Sequence, residues 1–260
     1  MSTELSIVNI EDYPFITSIE ETFLLGRHLC TGIIITLTWI LTASQCLLHQ
    51  GSENYTKDEL LRDPAYYEVV TGVESTGYGK KSACKFFIVH ENSSTGPTNF
   101  DYGVALIGLK DLLTQSTSVK PIQYSGLQTD IFGEQCKVIG WLKSDEEQDY
   151  VKAFKLISFN VTALYDNECK FIQEQVNITQ SDQYICLQAN SDFRWLDIAA
   201  AVICSRSDVV EAIVVSRIDS ESPDSLSIFL AIRLDYSAVW IATRTAIPST
   251  KLKQTDHKLG

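Results

Sequence analysis

The fold is read first from Arg194-Trp195-Leu196-Asp197-Ile198-Ala199-Ala200-Ala201-Val202-Ile203-Cys204. A polar lead-in gives way to a single acid with the look of a buried one. A run of small and apolar residues follows, closed by a cysteine. On physical grounds this is a loop turning into a core strand that ends in a disulfide.

Working outward, residues 209–215 and 227–234 alternate or run apolar as strands do. Residues 31–41 are rich in Ile, Thr and Trp, as a buried strand would be, and the run is too short to span a membrane. Residues 66–74 read as a strand ending at Gly72, and the polar stretch 113–129 as an exposed connection. Near the end, Tyr236, Val239, Trp240, Thr243 and Ile247 fall at helical spacing, with Asp235 placed to cap and Pro248 to stop the helix. Residues 248–260 are expected to form a loose polar tail.

A chain of 260 residues, 45% hydrophobic and 21% charged, suits one large all-β domain or two small ones sharing a core. The net charge of −12 argues against nucleic acid and anionic membranes as partners. No Gly-rich phosphate loop and no Cys/His cluster with metal spacing is present, so neither cofactor nor metal is expected. The first residues lack the basic and apolar regions of a signal peptide. Seven cysteines, with Asn-x-Ser/Thr sequons at Asn54, Asn92, Asn160 and Asn177, nevertheless point to a secreted, disulfide-bonded glycoprotein in mature or trimmed form.

Several stretches resemble the chymotrypsin/trypsin-like serine proteases. His28-Leu-Cys-Thr-Gly-Ile-Ile-Ile-Thr-Leu-Thr-Trp-Ile-Leu-Thr-Ala-Ser-Gln-Cys46 is similar to that family's His-Phe-Cys-Gly-Gly-Ser-Leu-Ile-Ser-Pro-Trp-Val-Leu-Thr-Ala-Ala-His-Cys. Phe86-Phe-Ile-Val-His90, Thr98-Asn-Phe-Asp-Tyr-Gly-Val-Ala-Leu-Ile107, Val119-Lys-Pro-Ile122 and Cys136-Lys-Val-Ile-Gly-Trp141 follow in the family's order. The opening stretch around Asp197 resembles Gly-Asp-Ser-Gly-Gly-Pro-Leu-Val-Cys.

The resemblance implies two antiparallel six-stranded β-barrels and a C-terminal α-helix over residues 7–247. The first barrel would take residues 7–118, the second 119–234, and the helix 235–247. It also implies the bridges Cys30–Cys46, Cys136–Cys204 and Cys169–Cys186, the last pair bracketing a loop rich in Asn, Asp and Gln. Cys84 is left over, either buried and single or linking two chains. Ile7-Val8 is either a plain strand or a mature N-terminus whose freed amine would pair with Asp197. No Lys or Arg precedes Ile7 to direct that cleavage.

By the same register Gln45 stands at the family's catalytic histidine, Gly103 at its orienting aspartate and Ile198 at its nucleophilic serine. An amide cannot serve as a general base and a hydrocarbon cannot attack a carbonyl. Loss of such a triad costs on the order of a million-fold in turnover. Asp101 lies two residues before Gly103 but has no histidine to orient. Leu196 replaces a glycine of the oxyanion loop. Asp192 is a remnant of a basic-specificity pocket whose walls Arg217 and Ser227 narrow, with Arg217 or Arg194 available to pair with it.

The expectation is therefore a non-enzyme: a secreted serine protease homologue. It would bind other secreted proteins, such as proteases, inhibitors or immune factors, as regulator, cofactor or decoy. The alternatives are a serine-type endopeptidase with residual or altered hydrolysis, and a structural or storage glycoprotein.

Overall fold

The computed structural model describes residues 5–23, 27–49, 56–94, 99–126, 130–143, 154–189, 197–218 and 226–252. A short strand β1 (Ser6–Ile7) precedes a closed antiparallel barrel. The barrel comprises β2 (Ile16–Glu21), β3 (Arg27–Thr36), β4 (Trp39–Ala43), β5 (Tyr67–Thr71), β6 (Lys80–Val89) and β7 (Val104–Leu109), in the order β2-β3-β4-β7-β6-β5. The second sheet is built from β8 (Gln135–Lys143), β9 (Phe154–Ala163), β10 (Tyr184–Ala189), β11 (Ala201–Cys204), β12 (Ala212–Ile218) and β13 (Ile228–Arg233). It runs β9-β10-β13-β12-β11-β8, and the β8–β9 pairing closes it. The result is two six-stranded antiparallel β-barrels, a closure that leaves no bare strand edge in either ring.

Both barrels follow from what their strands bury. β4 and β7 carry buried residues at every position, because β7 is covered on one face by the barrel interior and on the other by the C-terminal turn. Among the described residues, four α-helices decorate the strands: α1 (Ser44–Leu47), α2 (Lys57–Leu60), α3 (Asp166–Gln175) and α4 (Ala238–Thr245). Disulfides join Cys30 to Cys46, Cys136 to Cys204 and Cys169 to Cys186. Cys84 is a free, buried thiol, as a packed single cysteine would be.

Other expectations are corrected. Ile7, counted with the first barrel, lies in β1, which pairs with β9 of the second. The stretch between Cys169 and Cys186 is not all loop. Cys169 belongs to α3, whose Glu168 side chain reaches back to the Tyr165 N–H at 3.1 Å. That helix ends in a two-bond C-terminal motif: Ile178 N–H donates to the Gln173 carbonyl and Asn177 N–H to Glu174. The connection 113–129 is anchored by buried Leu113, Val119 and Ser125.

At the C-terminal end, Asp235 opens a 3-10 turn rather than capping α4, and no side chain caps that helix. The tail is not loose where it is described. Ser249 is fully buried, its hydroxyl donating to the carbonyls of Thr38 and Leu109 at 2.9 and 2.7 Å. Lys85 reaches the carbonyls of Ser249, Thr250 and Leu252.

Candidate functional site

Gln45, Gly103 and Ile198 are brought to one seam between the barrels. Gln45 is exposed in α1, between buried Ser44 and Cys46. Gly103 closes a tight turn by donating to the Phe100 carbonyl at 2.8 Å, and its own carbonyl accepts from Ser44 N–H at 2.8 Å. Ile198 begins the turn into β11, and its carbonyl accepts from Thr31 N–H on β3 at 3.0 Å. Thr42 of β4 donates its hydroxyl to the Thr31 carbonyl at 2.9 Å, and the Cys30–Cys46 bridge ties β3 to α1.

The chemistry at these positions is sparse. Gln45 offers a neutral amide, and Ile198 a half-buried hydrocarbon packed against the core. At Gly103 a β-carbon would stand 2.6 Å from both Ile232 Cδ1 and the Phe100 carbonyl oxygen. A side chain fits there only if the Ile232 side chain and the turn at Phe100 give way. The same turn directs Asp101 toward Tyr184, whose phenol burial and the nearby carboxylate push well above its usual range. The Tyr184 hydroxyl accepts from Phe100 N–H at 2.6 Å.

Asp197 is 4% exposed and has three donors. The Thr31 hydroxyl and Trp141 N–H each lie 2.6 Å from Oδ2, and His28 Nε2 lies 3.1 Å from Oδ1. On its other side His28 Nδ1 is 2.8 Å from Ser18 Oγ, and the ring packs against Phe154 at 4.8 Å. The β2–β3 ladder bulges at Leu29, so that Ile19 lies opposite Cys30 while the next residue, Glu20, lies opposite His28. In the intact chain Ile7 is 64% exposed in β1 opposite Ile157, and Asp197 draws its partners from β3 and β8.

Beyond Asp197 the backbone is tightly drawn. Ala199 adopts φ +67°, a left-handed conformation unusual for a residue with a β-carbon. Its N–H donates to the Val214 carbonyl at 2.7 Å. Sequence reasoning missed the grouping of Ser18, His28, Thr31 and Trp141 about Asp197. His28 opens the longest motif, but nothing in the order of residues joins it to a position 169 further on.

In the pocket region Arg217 is half-buried on β12, while Ser227 is buried with its carbonyl accepting from Ala189 N–H at 2.9 Å. Asp192, Arg194, Leu196 and the sequon residue Asn54 lie outside the described residues. Asn92, Asn160 and Asn177 are all exposed. Asn177 has a second reason to be there, since its φ of +54° is the left-handed conformation that ends α3. Among the described residues, no group of three or more His, Cys, Asp or Glu is arranged to hold a metal ion.

The family model described as Trypsin matches residues 8–195, well over half the chain. The chain belongs to the trypsin family. Among curated relatives, this trypsin-family chain is 32% identical over 117 residues to Serine protease 28 of Mus musculus, covering 44% of the chain and 38% of that protein. It is 27% identical over 138 residues to snake venom serine protease serpentokallikrein-1 of Protobothrops mucrosquamatus, covering 51% of the chain and 45% of that protein. The matched stretch thus spans less than half the length of either relative. Among solved structures, mouse neuropsin, a serine protease expressed in the limbic system of the brain, superposes with a TM-score of 0.69. That likeness covers 93% of this chain and 98% of neuropsin at 18% identity, and it speaks for the fold.

Proposed function

We propose that this trypsin-family chain is a non-catalytic, secreted homologue that works by binding other proteins, as a regulator, cofactor or decoy in a proteolytic pathway. Gln45, Gly103 and Ile198 stand in for the base, the orienting acid and the nucleophile. The observation that carries the reading is the filled space at Gly103, where Ile232 and the Phe100 carbonyl occupy the volume an aspartate would need. An exposed amide and a packed hydrocarbon at the other two positions supply neither proton transfer nor attack.

Three disulfides favour an oxidising compartment, and the exposed Asn92, Asn160 and Asn177 are suited, with Asn54, to carry glycans. Asp192, Arg217 and Ser227 are the remnant of a side-chain pocket without a working role. Partners are proteins, with neither cofactor nor metal required.

A second reading, a peptidase with altered chemistry, is favoured by family membership and by relatives named as serine proteases. Fluorogenic peptide amides and esters with basic, aromatic and small residues before the scissile bond separate the two. The purified chain should turn over none of them faster than its heat-unfolded control. Hydrolysis that co-purifies with the folded protein would favour the second reading. For the binding role, the immobilised chain should retain active trypsin-family proteases or their inhibitors saturably, and failure to retain any would count against it.

A further inference from the structure

His90 follows β6 directly and is buried. Its N–H donates to the Val104 carbonyl of β7 at 3.2 Å, which fixes its backbone to the first barrel. The ring has two aromatic neighbours. Tyr102 stacks on it with 4.6 Å between centroids, and Trp240 of α4 leans on it at 4.8 Å. The ring nitrogen Nδ1 accepts from Asn92 N–H at 3.1 Å, and the His90 carbonyl accepts from Ser93 N–H at 2.9 Å. These two bonds close the turn over residues 90–93, and Tyr102 immediately precedes Gly103, so the turn abuts the seam. We propose that His90 is a pH-sensitive latch: its neutral ring fastens this turn through Asn92, and its protonated ring releases the turn while the barrels stay closed.

The reason is the chemistry of imidazole. A ring nitrogen that accepts a backbone N–H carries a lone pair and no proton. In the imidazolium both nitrogens bear hydrogens, so Nδ1–H would face Asn92 N–H, donor against donor. Turning the ring over puts Cδ2–H in that place, which is no acceptor either. The cation meanwhile gains from the π-systems of Tyr102 and Trp240. The ring therefore keeps its aromatic contacts, and the turn is what gives way.

The charged groups facing the ring are Glu91 in the same turn, Lys57 of α2 and Arg244 of α4, with the Tyr102 phenol in the stack. The Glu91 carboxylate accepts from Trp240 Nε1–H at 2.7 Å and pairs with Arg244, and its carbonyl accepts from Lys57 Nζ at 2.6 Å. Burial, aided by Lys57 and Arg244, outweighs the attraction of Glu91 and lowers His90 below the ordinary histidine range. The closed turn thus prefers the neutral ring. Closure is strongest above about pH 6.5, the ordinary value of a freed imidazole, and weakens as the pH falls below it. Burial works against the Glu91 charge, but its hydrogen bonds and Arg244 prevail and hold it below the usual carboxylate range, so Glu91 stays ionised through that window.

Hydrogen exchange resolved by NMR on the full chain, from about pH 8 to about pH 5 and corrected for intrinsic rates, tests the proposal. The reporting amides are Asn92, bonded to Nδ1, and Ser93, bonded to the His90 carbonyl. The Val214 amide, bonded to the Ala200 carbonyl in the second barrel, is the reference. In the wild type, protection at Asn92 and Ser93 should fall by up to about tenfold per pH unit below about pH 6.5, the slope of a single proton. His90→Asn offers a side-chain oxygen to the N–H two residues on, as in an Asx turn, and does not titrate. It should keep the protection and lose the slope. His90→Phe keeps an aromatic ring without an acceptor and should lower protection at every pH, also without slope. A flat wild-type profile, a slope that persists in His90→Asn, or an equal slope at Val214 overturns the proposal. Should either variant fail to fold, the wild-type slope at Asn92 set against that at Val214 decides.

Discussion

At Ala199 a methyl group sits in a backbone conformation that costs an L-residue roughly 1–2 kcal/mol, and the side chain is fully buried. Ala199→Gly should therefore stabilise the chain by about 1 kcal/mol, read as a rise in the urea midpoint at unchanged slope. Gly103 presents the opposite case, since its α-carbon faces Ile232 with no room for a branch. Gly103→Asp should destabilise by about 3 kcal/mol through overpacking and an unpaired buried charge, measured by the same denaturation. The residue types at positions 45, 103 and 198 were legible in the sequence. The contact with Ile232 was not, because it joins residues of different barrels. Nor was the set of donors around Asp197, which two separate strands, β3 and β8, assemble.

At the scale of elements, strands were legible wherever apolar runs or alternation were long. The run through residues 31–41 resolves into β3 and β4, and the closing stretch after Asp197 into β11. α3 was hidden because its exposed faces are rich in Asp, Asn, Glu and Gln, which read as loop, while few of its side chains are buried. The C-terminal turn was hidden for a similar reason. Ser249 is polar, yet its buried hydroxyl serves the Leu109 carbonyl and shares the Thr38 carbonyl with Leu109 N–H. Ser249→Ala should cost about 2 kcal/mol by removing the shared donor. A chain ending at Pro248 should lose at least as much, since the Lys85 contacts go with it. Thermal unfolding of both variants checks this.

Taken whole, the molecule is two barrels whose shared seam buries Ser18, His28 and Asp197 in one hydrogen-bonded line. Because burial raises the folded-state carboxyl of Glu20 on β2, its contribution to stability is present in full below about pH 4.5. It is lost as the pH climbs through the raised value. Denaturant titrations across pH should show this decline in the wild type and its absence in Glu20→Gln. Burial likewise pushes the Cys84 thiol well above its usual range, in keeping with a packed single cysteine. Barrel architecture could be read from cysteines and motifs because those constrain long stretches of chain. The line of side chains through Ser18 and His28 could not, since it exists only once the barrels meet.

The central claim is that no serine in this fold is activated for attack. Intact mass after incubation of the folded chain with excess fluorophosphonate, alongside active trypsin, tests it most directly. The account predicts an unshifted mass for the chain and full labelling of trypsin. A stoichiometric single adduct on any serine, abolished by unfolding, would contradict it.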